Sequence, residues 1–303
     1  MSGGVCLVII FNHRYDENIA KLKLIYEKRF SKILFLVPFY EGEVANVIPV
    51  YECSYQFPGF LIQAYQSLME IEADYYLFIG DDLILSPSID EYNVLESLKM
   101  KGKEAFITYI KPLNSKRSFE WHHAKFSSLP FLNGHTKWED SIPGYGWALE
   151  KFQKFFKEKY AEEYRSEFFG DRSDENNLQK ENEIKNFIQR NGGSLKIPYP
   201  MARGYSDIFV LKREKMFPIA RLCGVFSAMN MFAEISLPTS LVLSVERKDI
   251  VLLEDTEFQR IVAWDEEREI MEKKYLYKLR LLYENWRVKD LFIHPVKLSK
   301  WEL

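Results

Sequence analysis

The 303-residue sequence predicts an α/β fold built on a mostly parallel central sheet flanked by helices, and three observations support this. Short apolar runs rich in Val, Ile, Leu and Phe recur between Val5 and Ile110, as expected of strands buried on both faces. Segments with apolar residues at helical spacing separate several of these runs. This alternation of strands and helices is typical of a doubly wound sheet, in which ligands bind beyond the carboxyl ends of the strands.

The first βα unit covers residues 5–30. Val5–Phe11 is a continuous apolar run that predicts a strand, and the polar loop 12–16 follows it. The helix after this loop is predicted from apolar residues at helical spacing, which are Ile19, Leu22, Ile25, Tyr26 and Phe30. A second amphipathic helix is predicted to open at Gly59. The further strands predicted in this half are Ile33–Val37, Val47–Tyr51, Tyr75–Ile79 and Ala105–Ile110.

The regular order weakens beyond residue 110. A loop-rich region with clustered Trp, His and Gly comes first, and a charged segment of helical pattern follows it at 149–190, with a polar break near 170–177. The remaining predicted elements are a strand at Ile208–Leu211, one buried helix at Ile219–Ile235 that ends before Pro238, and a long surface helix at 257–287. No repeat or Gly-, Ser- or Pro-rich linker divides the chain, so one compact domain is expected.

Composition excludes several classes of protein. The net charge is −3 with the two signs interspersed, which argues against a nucleic-acid-binding surface. Cys6, Cys53 and Cys223 lie far apart in apolar surroundings and are predicted to be buried free thiols of a reducing compartment. The apolar run Val5–Phe11 is too short to span a bilayer. A cytoplasmic protein is therefore expected, and peripheral association with the inner face of the membrane stays open.

Two adjacent carboxylates follow the predicted strand Tyr75–Ile79. Asp81 and Asp82 come after Gly80, and at the mouth of a buried strand they would repel each other unless a cation or hydrogen-bond donors neutralise them. A hard divalent ion binds in this way and completes its shell with phosphate oxygens and water. The alternative is that the two residues only form a turn or cap the next element.

The order of elements, together with Phe78-Ile79-Gly80-Asp81-Asp82, resembles the DXD region of the GT-A glycosyltransferases. The resemblance covers the sheet region up to about residue 110 and isolated motifs afterwards. It departs from the family in having Asp81-Asp82-Leu83 where many members have Asp-X-Asp. The resemblance implies a Mn²⁺ or Mg²⁺ ion bridging a donor diphosphate, with Asp82 as the first choice of ligand and Asp81 next.

The resemblance also implies other binding residues. His294, near the C-terminus, is expected as a further metal ligand, with Lys297 offsetting charge on the leaving group. The loop after the first strand is expected to meet the nucleotide, and its residues are Asn12, His13, Arg14 and Tyr15. Arg14 could pair with phosphate and Tyr15 could stack on a base. Gln56 is a weaker candidate for the same pocket. A solvated turn opening a helix is the alternative for this loop.

Three acidic groups compete for the catalytic role. Asp207 precedes a predicted strand and could orient the acceptor or act as general base. Glu234 is a lone acid at the end of an apolar helix, where burial tends to raise the pKa of a carboxyl group. Glu139, with its neighbour Asp140, is the third candidate. Asp207 and Glu234 could instead cap an element or pair with an arginine such as Arg203 or Arg221.

The resemblance implies a metal-dependent glycosyltransferase that moves a sugar from a nucleotide-sugar donor, with UDP favoured, to a glycan or lipid-linked acceptor, in bacterial surface-polysaccharide synthesis. Within a single domain, residues 1–110 are expected to bind the donor. Residues 111–303 are expected to bind the acceptor, and to carry a helical insert and C-terminal helices. One alternative is a sugar-nucleotide nucleotidyltransferase, which would have a Gly-rich basic loop where Asn12-His13-Arg14 stands. Another is a non-catalytic carbohydrate-binding protein with a degenerate transferase fold.

Overall fold

The computed structural model describes residues 4–113, 123, 126–127, 129–132, 140–157, 163–165, 178–190, 192, 194–196 and 199–303. Its strands are β1 (Val5–Ile10), β2 (Ile33–Pro38), β3 (Val47–Val50), β4 (Tyr75–Gly80), β5 (Ile84–Leu85), β6 (Ala105–Ile107), β7 (Ile110–Pro112), β8 (Glu163–Arg165), β9 (Ser194–Lys196), β10 (Ala202–Gly204), β11 (Ile208–Lys212), β12 (Ile250–Leu252), β13 (Gln259–Val262) and β14 (Asp290–His294).

The helices alternate with these strands through much of the chain. They are α1 (Glu17–Tyr26), α2 (Phe60–Gln63), α3 (Tyr65–Glu70), α4 (Val94–Ser97), α5 (Leu129–Leu132), α6 (Tyr145–Phe156), α7 (Leu178–Arg190), α8 (Met216–Ala228), α9 (Ala233–Ser244), α10 (Asp265–Lys274) and α11 (Leu279–Glu284). A 3₁₀ helix at Ser54–Gly59 precedes α2.

A seven-stranded sheet forms the centre of the described structure, in the order β12-β6-β11-β4-β1-β2-β3. Four pairs of neighbouring strands are parallel: β1 with β2, β1 with β4, β2 with β3, and β6 with β12. Only β11 runs antiparallel within this sheet, to β4 on one side and β6 on the other. The predicted α/β class with a mostly parallel central sheet flanked by helices is confirmed.

The side chains of β1 alternate between two hydrophobic cores, as the period of a strand requires. Cys6, Val8 and Ile10 point to the core that contains α8 and α9. Leu7 and Ile9 point to the other core, which contains the apolar face of α1 and the C-terminal segment. Because both faces are covered, all six residues of β1 are buried, and this explains its unbroken apolar sequence.

A smaller sheet fixes the C-terminal segment against the main one. In it, β14 lies between β5 and β13, with Ile293 opposite Ile84. The backbone N–H of Val296 then donates to the carbonyl of Asp82 over 2.7 Å. This pairing carries the residue at the end of β14, His294, to the carboxyl end of β4, although the two strands come from the first and last thirds of the sequence.

The predicted single helix at Ile219–Ile235 is wrong. The chain forms α8 and α9 there, with a turn at 229–232 in which Asn230 has a φ of 58°. Pro238 lies inside α9 and does not end the apolar segment. The sequence is apolar on nearly all sides of both helices, so its periodicity contains no signal for the break.

The predicted long helix at 257–287 is also wrong. Residues 259–262 form β13, which pairs with β14, and two short helices follow. Leu276 and Tyr277 separate those helices with φ values of 53° and 54°, in the left-handed region that ends a helix. The charge pattern of this segment could not reveal a pairing with a strand that comes later in the sequence, beyond both helices.

Smaller differences concern element ends and one cysteine. The predicted strand Ala105–Ile110 stops at Ile107, and the helix predicted from Gly59 is divided at Ala64. Cys6 and Cys223 are buried free thiols as predicted, but Cys53 is exposed, next to a 3₁₀ turn. Among the described residues, no helix is both long enough and apolar enough to cross a bilayer. The predicted break near 170–177 lies outside the described residues.

Candidate functional site

A cleft of about 410 Å³ opens at the carboxyl ends of the parallel strands β1 and β4. Ile10 and Gly80 end these strands side by side, and the antiparallel β11 begins at the same edge, where Ile208 faces Ile79. The residues just beyond these strand ends therefore meet. The described lining consists of Asn12, His13, Ser54, Tyr55, Phe57, Asp82, His123, Asp207, Phe232, Ala233, Glu234, Trp264 and His294.

Asp81 lies beneath the cleft and does not line it. Its side chain is buried, and Oδ1 accepts the backbone N–H of Asn12 over 3.0 Å, while its own N–H donates to Ile10 over 2.9 Å. Burial, with the neighbouring Asp82, raises the pKa of Asp81 to about 8. Asp81 thus holds the loop after β1 against the end of β4.

Asp82 turns its carboxylate towards the cleft. Its side chain is one-third exposed, but Oδ1 is buried and makes no hydrogen bond to any described residue. A β-carbon added at Gly80 would lie 3.1 Å from this oxygen and 3.8 Å from Asp207 Cβ. Because glycine has no side chain, position 80 leaves room for the side chains of Asp82 and Asp207 beside it.

His294 faces the same space from β14. It is 2% exposed, and its Nε2 lies 3.2 Å from Asp82 Oδ1 and 3.9 Å from Asp207 Oδ1. On the other edge of the ring, Nδ1 lies 2.6 Å from the Tyr205 hydroxyl. Burial alone would lower the pKa of His294, but Asp207 and then Asp82 raise it above its usual value.

These groups fit a divalent cation. An acidic oxygen with no hydrogen-bond partner and an imidazole nitrogen 3.2 Å away are ligand types that such ions accept, and water and phosphate oxygens complete such a shell. Within the described ranges, however, no group of three or more His, Cys, Asp or Glu side chains is arranged as a full metal site. The chain would therefore supply only part of the shell.

Two further carboxyl groups complete the polar side of the cleft. Burial is the main cause that raises the pKa of Asp207. Burial, followed by the proximity of Asp207, raises the pKa of Glu234 to about 8, and Arg260, His294 and Arg203 lower it in part. Ser206 Oγ donates to the carbonyl of Ala233 over 3.3 Å. This bond ties the start of α9, which carries Glu234, to the segment that carries Asp207.

Several residues predicted for the nucleotide lie away from the cleft lining. Arg14 and Tyr15 border a neighbouring depression of about 480 Å³, where Arg14 pairs with Glu41 over 3.1 Å. Gln56 is buried, and its Nε2 donates to Asn230 Oδ1 over 2.9 Å. The exposed Lys297 does not line the cleft, and its backbone N–H donates to Glu272 Oε1 over 2.8 Å. Glu139 lies outside the described residues, and the adjacent Asp140 is exposed.

Sequence reasoning missed the aromatic residues of the cleft. Tyr55 and Trp264 are 60% and 54% exposed although both are large, and Phe232 joins them in the lining. The Trp264 ring meets His294 edge to face at 5.4 Å between centroids. No local pattern marks these residues, because they come from three segments that the fold brings together. The sequence did contain a signal for Tyr205, because this residue stands two positions before the candidate Asp207.

Comparisons with known proteins give only distant likenesses. No family model matches the chain, and no curated protein matches it in a sequence search. Among solved structures, the mannosyltransferase Ktr4p from S. cerevisiae is similar with 10% identity and a TM-score of 0.37, over 84% of this chain and 69% of that one. The galactosyltransferase LgtC, solved with donor and acceptor sugar analogues, has 8% identity and a TM-score of 0.35, over 95% and 86% of the two chains. Both TM-scores lie below 0.5, and these likenesses carry no weight in assigning a function.

Proposed function

We propose that this chain is a glycosyltransferase that moves a sugar from a nucleotide-sugar donor, with UDP favoured, to a glycan or lipid-linked acceptor. One observation carries the proposal. Asp82, Asp207, Glu234 and His294, which are far apart in the sequence and were each expected to serve this chemistry, line one cleft at the carboxyl ends of the parallel strands. That edge is where open α/β sheets bind ligands.

In this proposal Asp82 and His294 hold a Mn²⁺ or Mg²⁺ ion. When bound, such an ion stabilises the negative charge of the departing diphosphate. Asn12 and His13 border the same cleft and would contact the donor. Asp81 acts indirectly, because its side-chain oxygen accepts the backbone N–H of Asn12 and so fixes the position of that residue. In this proposal residues 1–110 supply Asn12, His13 and Asp82 to the donor side, and His294 joins them from the C-terminal segment.

Asp207 and Glu234 would serve the acceptor. A carboxyl group whose pKa is raised towards neutrality can accept a proton from a hydroxyl group more readily than an ordinary carboxylate can. Glu234, with a pKa of about 8, is suited to this role, and Asp207 lies close enough to raise that pKa. Asp207 Oδ1 lies 3.9 Å from Nε2 of His294, which is a metal ligand in this proposal. Asp207 would therefore hold the acceptor hydroxyl close to the sugar that is transferred.

A thermal-shift panel tests the proposal. UDP-, GDP- and CMP-linked sugars are added with Mn²⁺ or with EDTA to the parent protein, to Asp82→Ala, and to Asp74→Ala as a control. Asp74 is exposed and lies beside the opposite end of β4. One donor class should raise the melting temperature only with Mn²⁺, and Asp82→Ala alone should abolish this.

Transfer itself is measured with the donor class that binds, as release of the nucleoside diphosphate or monophosphate in the presence of candidate acceptors. If none of the three donor classes stabilises the parent protein and EDTA changes nothing, the glycosyltransferase proposal fails. The expected biological setting is surface-polysaccharide synthesis at the cytoplasmic side of the membrane, where lipid-linked acceptors reside.

A further inference from the structure

Aromatic rings form part of the cleft lining, and of these Tyr55 is exposed while Phe232 and His123 are half-buried. The Tyr55 ring lies 5.7 Å from that of Phe232, and the His123 ring stacks on Phe232 with 3.8 Å between centroids. Tyr55 is nevertheless 60% exposed. We call Tyr55 and Phe232, with the stacked His123, the aromatic platform. Such partly wet aromatic surfaces in a cleft provide packing area for a flat apolar ligand face.

Hydrogen bonds join the two segments that carry Tyr55 and Phe232. Gln56, the neighbour of Tyr55, donates to Asn230, which stands two residues before Phe232. Ser227 Oγ, near the end of α8, donates to the carbonyl of Gln56 over 3.0 Å. The segments that carry the two rings are therefore tied to each other inside the protein. Preorganisation of this kind lowers the entropic cost of binding.

The ionisable groups beside the platform are mainly carboxyl groups and histidines. Asp82, Asp207 and Glu234 line the cleft, and its described lining contains no lysine or arginine. Ser206 holds the start of α9 through Ala233, and the next residue, Glu234, lies close enough to Asp207 for that carboxyl group to raise its pKa. Carboxylates accept hydrogen bonds from hydroxyl groups and attract ammonium groups, but they repel another carboxylate.

An apolar ring face beside hydrogen-bonding carboxyl groups matches one class of ligand. A pyranose ring presents C–H groups on its faces and hydroxyl groups around its edge. We infer that the aromatic platform, with Asp207 and Glu234, binds the acceptor as a neutral or amino sugar, and that it discriminates against uronic and sialic acids. This inference rests on the proposed function, because the bound sugar is an acceptor only if the chain is a glycosyltransferase. The preference for neutral and amino sugars can be measured without any donor.

The test measures the binding of simple methyl glycosides by saturation-transfer NMR in EDTA, so that no metal ion attracts a charged probe. The probes are the methyl glycosides of glucose, galactose, glucosamine and glucuronic acid. The neutral and amino glycosides should bind, and the glucuronide should bind about 10-fold more weakly or not at all, because three carboxyl groups line the cleft and its described lining has no lysine or arginine to pair with a sugar carboxylate. Comparable binding of the glucuronide would overturn the inference.

Two variants connect the binding to the platform. Tyr55→Ala removes an exposed ring, and Phe232→Leu keeps apolar bulk without the aromatic face. Each should weaken binding of the neutral and amino glycosides by about 10-fold. Tyr92→Ala is the matched control, because Tyr92 is 88% exposed and lies outside the cleft. Parent-like binding by both platform variants would overturn the inference.

The outcomes separate this inference from the proposed function. If glycosides bind with the expected preference but no nucleotide sugar raises the melting temperature, the transferase proposal fails and the platform stands as a carbohydrate-binding site. If a nucleotide sugar binds with Mn²⁺ but the platform variants leave glycoside binding unchanged, the transferase proposal stands and the platform inference fails.

Discussion

The Tyr205 hydroxyl lies 2.6 Å from Nδ1 of His294, and this contact fixes the edge of the imidazole that faces Asp82. Tyr205 is itself held on both sides. Its ring stacks on Phe292 at 5.7 Å, and the guanidinium of Arg260 lies 4.8 Å from its centroid. When Nδ1 donates to the hydroxyl, Nε2 has a free lone pair directed at the cleft. Partners of this kind orient metal-binding histidines.

Tyr205→Phe should therefore weaken Mn²⁺ binding by about 10-fold, while Asp82 and His294 themselves are unchanged. The measurement is a Mn²⁺ titration followed by electron paramagnetic resonance. Tyr199→Phe is the control, because Tyr199 is also buried and its hydroxyl donates to Pro143 over 2.9 Å, outside the cleft lining. Equal Mn²⁺ affinity for Tyr205→Phe and the parent protein would show that Tyr205 does not position His294.

Asp81→Asn and Asp81→Ala should differ. Asparagine keeps an oxygen that accepts the Asn12 N–H, whereas alanine leaves that N–H without its partner, at a cost of about 1–3 kcal/mol in the free energy of unfolding. Urea unfolding at pH 6 and pH 9 measures this difference. At pH 9 the asparagine variant should match or exceed the parent, because ionised Asp81, with a pKa of about 8, is costly to bury. Equal loss in both variants at pH 6 would contradict this role.

The sequence predicted the polar edge of the cleft better than its aromatic side. Asp82 follows a strand whose apolar pattern is local, and the rule that ligands bind at the carboxyl ends places it at the cleft. Asp207 precedes its strand, and it reaches the same edge because β11 runs antiparallel to β4, which the sequence did not predict. His294 was expected from the resemblance to GT-A enzymes. Tyr55, Phe232 and Trp264 could not be found in this way, because their approach depends on the turn between α8 and α9 and on strand β13. Both features depend on long-range packing, which periodicity does not encode.

Stability without metal should fall as the pH rises, and Glu234 should contribute to the slope. Burial raises its pKa from 4.5 to about 8, so the folded protein keeps a proton that the unfolded chain loses between these values. One such proton corresponds to at most about 1.4 kcal/mol of unfolding free energy per pH unit. Urea unfolding in EDTA from pH 5 to pH 8 should give a shallower slope for Glu234→Gln. An unchanged slope would assign the effect to other groups.

Gln56→Ala should weaken the aromatic platform without affecting the metal site. The change removes the hydrogen bond to Asn230, an exposed residue that water can then hydrate, so the free energy of unfolding should fall by about 0.5–1.5 kcal/mol. Binding of methyl glucoside should fall, and Mn²⁺ affinity should remain that of the parent protein. A loss of nucleotide-sugar binding with glycoside binding intact would instead support the contact with the nucleotide that the sequence suggested for Gln56.

The position of β11 between β4 and β6 has a consequence for synthesis on the ribosome. Until Ile208–Lys212 has emerged, the strand that fills the middle of the sheet is missing, so β4 has an unpaired edge on the side away from β1. Unpaired edges of this kind favour aggregation of nascent chains. The cleft is completed later still, when His294 has emerged and β14 has paired with β5. Chains released before that point should therefore lack any partial activity and should depend on chaperones.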